Sequence, residues 1–158
     1  MKGLIYILLL TSFACSGKVR ITEDEIMPDI FYAEGSFRPF TGECTVVSRN
    51  SNLVLEQFSY KKGMLHGKAL AWYKNGKLKR RGSYRNGKLS GAWEFWDDKG
   101  NKTMEVNFEN DELNGQFTSL ESDGRIKEKG IYCANRRTGK WIRNDEDIII
   151  RTEITDLP

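Results

Sequence analysis

The side chains capable of chemistry are few and far apart. One histidine, His66, stands alone among 158 residues, and the three cysteines, Cys15, Cys44 and Cys133, are scattered. A nucleophile–base pair or a Cys/His metal set needs such residues brought together, and neither spacing is present. Carboxylates do cluster, as Glu23-Asp24-Glu25, Asp97-Asp98 and Asp145-Glu146-Asp147. The first run has linker composition and the other two fall at expected hairpin tips, so all three read as solvated acids. No glycine-rich loop opens a helix to hold a phosphate. His66 occupies a position that Ser90, Asn114 and Thr138 take at 24-residue intervals, which marks a turn. No catalytic residue, metal site or cofactor is expected, and the chain reads as a non-enzyme.

Cys15 is the exception, because its surroundings give it a chemistry. Met1-Lys2 is followed by an apolar run from Leu4 to Leu10, then Thr11-Ser12-Phe13-Ala14-Cys15. A cationic start, a short apolar stretch and a small residue have the proportions of a secretory signal. The run is far shorter than the ~20 residues a spanning helix needs. Ala14-Cys15-Ser16-Gly17 resembles a bacterial lipobox, with Ser12 where the usual box carries leucine. That resemblance implies cleavage after residue 14, lipidation of Cys15 and a bacterial envelope protein held at a membrane. Residues 15–30 then read as the lipidated cysteine and a mixed-charge tether.

The remainder, residues 31–158, is organised by a period. Gly67, Gly91, Gly115 and Gly139 are 24 residues apart, and Gly76, Gly100 and Gly124 keep the same spacing. So do Tyr60, Tyr84, Phe108 and Tyr132, and also Leu65, Leu89 and Leu113. Such a period signals a repeat array. Each unit reads as a β-hairpin: a strand after Gly67, a turn at Lys74-Asn75-Gly76-Lys77, a return from Leu78 to Tyr84, and a second turn at Arg85-Asn86-Gly87-Lys88. Continuing the register places a capping strand over 148–154, with Ile150 where Leu78 sits.

The return strands alternate with period two. Val54, Glu56, Phe58 and Tyr60 share a face, as do Leu78, Arg80, Gly82 and Tyr84, then Met104, Val106 and Phe108, then Ile126, Glu128, Gly130 and Tyr132. Their neighbours are mostly polar, so one face is buried and the other wet. Gly82 and Gly130 are expected to let an aromatic from an adjacent strand lie flat on the backbone. Ala69, Trp93, Phe117 and Trp141 form one column of the outgoing strands; Trp72 and Trp96 have the opposite parity. Tyr60, Trp72, Tyr84, Trp93, Trp96 and Phe108 are thus the candidate core or contact aromatics. Cys44 and Cys133 lie too many strands apart for a disulfide, and buried thiols are expected.

Gly82-Ser83-Tyr84-Arg85-Asn86-Gly87-Lys88-Leu89-Ser90-Gly91-Ala92-Trp93-Glu94-Phe95 resembles the MORN repeat. Tyr60-Lys61-Lys62-Gly63-Met64-Leu65-His66-Gly67 and Pro39-Phe40-Thr41-Gly42 are similar to its bacterial YwqK-type, antitoxin-like variant. The resemblance implies an all-β fold: an elongated, single-layer antiparallel sheet of tandem ~24-residue hairpins. It also implies a scaffolding or binding module. Asp111-Glu112 and Ala134-Asn135-Arg136-Arg137 depart from the pattern at their turns.

Charge supplies the remaining functional signal. From Lys61 to Lys88 there are ten Lys or Arg residues and no acid; from Leu89 to Asp123 there are nine acids against Lys99 and Lys102. A repeat array lays these out as a basic segment beside an acidic one. Lys61, Lys62, Lys68, Lys79, Arg81, Arg85 and Lys88 form the candidate basic patch, suited to anionic lipid headgroups, an anionic envelope polymer or a protein. Neutralisation between neighbouring repeats is the competing reading, and the export signal disfavours nucleic acid. The expected role is a non-catalytic, membrane-anchored binding or scaffolding lipoprotein; the alternative is an antitoxin or immunity protein that neutralises a partner.

Overall fold

The computed structural model describes residues 17–24, 30–32, 38–144 and 146–149. Within them the chain is all-β, and every strand belongs to one open sheet whose spatial order follows the sequence. The strands are β1 Lys18–Thr22, β2 Gly42–Val47, β3 Val54–Lys61, β4 Met64–Trp72, β5 Leu78–Arg85, β6 Lys88–Trp96, β7 Lys102–Glu109, β8 Glu112–Leu120, β9 Ile126–Cys133, β10 Arg136–Arg143 and β11 Glu146–Ile149. All neighbours are antiparallel except β1 and β2, which run parallel. This is the expected single layer of hairpins.

Two kinds of turn alternate along it, and each follows from local chemistry. The turns between repeats hold two successive residues at positive φ: Lys62 and Gly63 (51° and 80°), Asn86 and Gly87 (52° and 84°), Asn110 and Asp111 (53° and 74°), Ala134 and Asn135 (47° and 65°). That pair of conformations matches the twist of the flanking strands. Each turn is also tied to the preceding repeat. Gly87 N–H donates to Leu65 O at 2.8 Å, Asp111 N–H to Leu89 O at 3.2 Å and Asn135 N–H to Leu113 O at 3.0 Å. Where glycine is replaced, the new side chain adds a bond: Leu89 N–H donates to Asp111 Oδ1 at 2.7 Å, and Leu113 N–H to Asn135 Oδ1 at 2.8 Å. The departures at 111 and 135 therefore preserve the turn and strengthen its attachment.

The core is one face of the sheet. Trp93 is 2% exposed and Trp141 1% exposed, although each lies in a single layer. They achieve this by lying flat on glycine. A Cβ on Gly82 would stand 2.1 Å from Trp93 Cδ2, and one on Gly130 2.2 Å from Trp141 Cδ2. Neighbouring rings close the sides: Tyr84 meets Trp93 edge-on at 5.2 Å, and Tyr132 meets Trp141 at 5.1 Å. At the N-terminal end Phe31, Phe40 and Tyr60 pack together, with Phe31 5.2 Å from each of the other two rings. Burying each large side chain in these contacts stabilises the fold by about 1.5–3 kcal/mol.

Three expectations need correction. Residues 18–22, read as tether, are strand β1. Ile21 is 1% exposed, and Glu43 N–H donates to Gly17 O at 2.7 Å, so burial and pairing hold this segment in the sheet. The C-terminal return strand starts at Glu146, earlier than the register placed it. The position of Gly76, Gly100 and Gly124, which have φ of 82°, 91° and 87°, is taken by Ile148. A β-branched residue resists that conformation, so the chain reverses at Asn144 instead. Cys133 is exposed, while Cys44 is fully buried, and no disulfide joins them. Residues 1–14, Cys15 and Ile150–Pro158 lie outside the described residues.

Candidate functional site

Strand parity sorts the candidate residues onto different surfaces. Tyr60 and Trp93 are buried, and Tyr84 and Phe108 pack against the same core as partly buried side chains. These four aromatics hold the fold. Burial also pushes the phenol pKa of Tyr60 well above its ordinary value, and that of Tyr84 upward. Trp72 and Trp96 are half-buried on the opposite, wet face, outside the core cluster.

Ion pairs form on both faces: Arg80 with Glu56 and Arg137 with Glu128 on the aromatic face, and a larger cluster on the wet one. Registers place Leu70 opposite Arg81, Arg81 opposite Glu94, Glu94 opposite Glu105 and Glu105 opposite Thr118. Two carboxylates directly across from one another repel unless a cation intervenes. Lys102 supplies it, with Nζ 2.6 Å from Glu94 Oε1 and in contact with Glu105. Arg81 Nε donates to Glu94 Oε2 at 2.6 Å. The hydrogen bond from Lys102, joined by Arg81 and opposed by burial, holds the Glu94 carboxyl below the usual carboxylate range. Glu105 and Glu94 in turn raise Lys102. Arg81 and Lys102 also approach the Trp96 ring, at 5.5 and 5.6 Å from its centroid. The result is a locally neutral cluster around a tryptophan. Beside it Ala92, Glu94, Glu105, Asn107, Gln116 and Thr118 line an open groove of about 310 Å³.

The basic patch divides in two. Lys68, Lys79 and Arg81 project from the middle and far end of β4 and β5; Lys68 is opposite Ser83, and Lys79 Nζ lies 5.5 Å from the Tyr73 centroid. Lys61, Lys62, Arg85 and Lys88 gather instead at two successive turns, with Arg85 directly across from Lys88. Among the described residues, only Arg80 and Arg81 of the ten cations between 61 and 88 form ion pairs, with Glu56 and Glu94. Neutralisation of this segment by neighbouring repeats is therefore limited to two arginines, of which only Arg81 belongs to the patch, and most of the patch keeps its charge.

Other candidate groups have structural employment. His66 belongs to β4, not to a turn, and its Nδ1 lies 3.2 Å from Asn86 Oδ1. Asp97 Oδ1 accepts from the N–H groups of Lys99 at 2.9 Å and Asn101 at 2.8 Å, closing its own turn. Glu94, Lys102 and Glu105 were missed by the sequence reading. Their signal is the symmetry of 94 and 105 about the turn at 97–101, which becomes visible once the register is known.

A family model for the MORN repeat variant matches residues 65–86, from the start of β4 through the turn after β5. No curated protein is matched by the chain. The matched repeat, set in a sheet of like hairpins, suggests a repeat-based binding module, on a fold that is typically non-catalytic.

Proposed function

We propose that this chain is a non-catalytic, exported lipoprotein of the bacterial envelope. Its repeat sheet binds or scaffolds a protein or anionic envelope polymer through the wet face. The supporting observation is the contrast between the two faces. The aromatic face is closed by its own rings and ion pairs, whereas the wet face of β4 and β5 presents Lys68 and Lys79 without acidic partners among the described residues, on the same side as half-buried Trp72. The YwqK-type resemblance supports the kinship, and the resemblance of Ala14-Cys15-Ser16-Gly17 to a lipobox supports the address.

Two measurements test this reading. The intact mass of protein from native membranes, beside a Cys15→Ser variant, should show loss of residues 1–14 and acyl mass on Cys15. Co-sedimentation with purified cell-wall sacculi should be reduced about tenfold or more in Lys68→Glu/Lys79→Glu, since each lost attraction and each new repulsion weakens a polyanion contact. An unprocessed, soluble chain would overturn the envelope address and favour the partner-neutralising antitoxin role. Unchanged sedimentation of the variant would remove the polymer from consideration.

A further inference from the structure

The register shows where an N-terminal anchor meets the sheet. Gly17 is already held there, accepting from Glu43 N–H at 2.7 Å, and a Cβ on it would stand 2.9 Å from Thr41 O. Thr41 Oγ1 in turn accepts from Lys62 N–H at 2.9 Å. The next turn lies alongside, since Gly87 N–H donates to Leu65 O. Gly17, Thr41, Lys61-Lys62 and Arg85–Lys88 therefore share one long edge of the sheet. The turns at 73–77, 97–101 and 121–125 form the other long edge, and it carries lysines of its own, Lys74 and Lys77. Cys15 precedes Gly17 by two residues, a reach of about 7 Å at full extension.

We propose that the anchored sheet stands edge-on to its membrane, with Lys61, Lys62, Arg85 and Lys88 on the anionic headgroups. This rests on acylation of Cys15. An acyl chain there has no spacer: its first fixed neighbour is the sheet edge itself. The four cations on that edge have no acidic partners among the described residues, so their charge is available to headgroups. Farther along the same edge come Glu109, Asp111 and Glu112, which anionic lipid repels. The basic turns at 62–63 and 86–87 therefore lie deepest and the acidic turn at 110–111 is lifted, while the turn beyond it returns a single exposed cation, Arg136. Both broad faces stand across the bilayer plane, leaving Lys68, Lys79 and the Trp96 cluster open to a partner.

The test uses acylated protein purified from membranes and reconstituted in mixed phosphatidylethanolamine–phosphatidylglycerol vesicles. Fluorophores are placed through Asn86→Cys, Asn110→Cys or Asn75→Cys in a Cys133→Ser background, with quenchers on the lipid headgroups. Strong quenching at 86, less at 110 and least at 75 is expected. Equal quenching at 86 and 75 in a sample whose mass shows the acyl chains overturns the orientation and leaves the anchor standing. A mass without acyl chains overturns both. As a second readout, acyl-free Cys15→Ser protein should partition onto the same vesicles about fivefold more weakly for each edge cation removed. Lys74→Gln/Lys77→Gln should leave that partition unchanged, and an equal loss there would contradict the assignment of edges.

Discussion

Trp93 lies flat against Gly82, so close that a methyl group on the glycine would stand 2.1 Å from the indole Cδ2. The indole N–H donates to Ser83 O at 3.1 Å, which fixes the ring in that plane. A single-layer sheet has no second layer to bury its aromatics. It buries them instead on its own backbone, and the missing side chain at 82 makes the space.

Gly82→Ala should therefore destabilise by about 1–3 kcal/mol through overpacking. The relevant comparison is the double variant with Trp93→Leu, where the smaller side chain no longer meets the methyl. Denaturant midpoints should show the double variant less unstable than the sum of the singles, by about 0.5–3 kcal/mol. Strict additivity would mean that the two residues do not share this space.

The second glycine–tryptophan pair, Gly130 and Trp141, differs in one atom's surroundings. Trp141 Nε1 is buried with no hydrogen-bond partner among the described residues, while Trp93 Nε1 has one. An unmet buried donor costs about 1–3 kcal/mol. Trp141→Phe should thus be the milder substitution, by at least about 1 kcal/mol relative to Trp93→Phe. Arg137, 4.3 Å from the Trp141 centroid, retains an aromatic face in the variant. Thermal unfolding of the two proteins decides the order.

The repeat, the hairpins and the flat aromatics were legible because each rests on a local rule repeated at a fixed interval. Asn-Gly requires a particular turn, and glycine beside an aromatic column allows a particular approach. What stayed hidden depends on partners distant in sequence. Strand β1 offers only Val19 and Ile21 in a charged stretch, and nothing local distinguishes it from a tether until β2 is beside it. The wet-face cluster needs the pairing of Glu94 with Glu105, which follows from the register across a turn. In sequence the basic patch is one continuous run. Parity and turn position split it into a mid-face part and an edge part.

Asp111 should behave as a working substitute for the turn glycine. It holds φ of 74° and accepts from Leu89 N–H. Asp111→Asn can keep both features and should be nearly silent. Asp111→Ala keeps the unfavourable φ and loses the bond, for a cost of about 2–3 kcal/mol in total. Asp111→Gly relieves the strain and loses only the bond, about 1 kcal/mol. Hydrogen exchange at the Leu89 amide should accelerate in the alanine and glycine variants and not in the asparagine one.

Glu94 predicts how stability changes with acid. Its carboxyl is held below the ordinary value of 4.5, chiefly by the hydrogen bond from Lys102, with Arg81 adding to it against burial. A carboxylate whose pKa is lower folded than unfolded binds fewer protons in the folded state. Its contribution is complete above the unfolded value and disappears as pH falls through the folded one. The partly exposed setting limits that contribution to about 1 kcal/mol. Glu94→Gln should therefore be less stable than the parent at neutral pH, and the difference should close as pH falls below the ordinary carboxylate value and through the lowered folded one. Urea midpoints measured across that range test the sign: a gap that widens in acid would place the favourable pairing elsewhere than at Lys102 and Arg81.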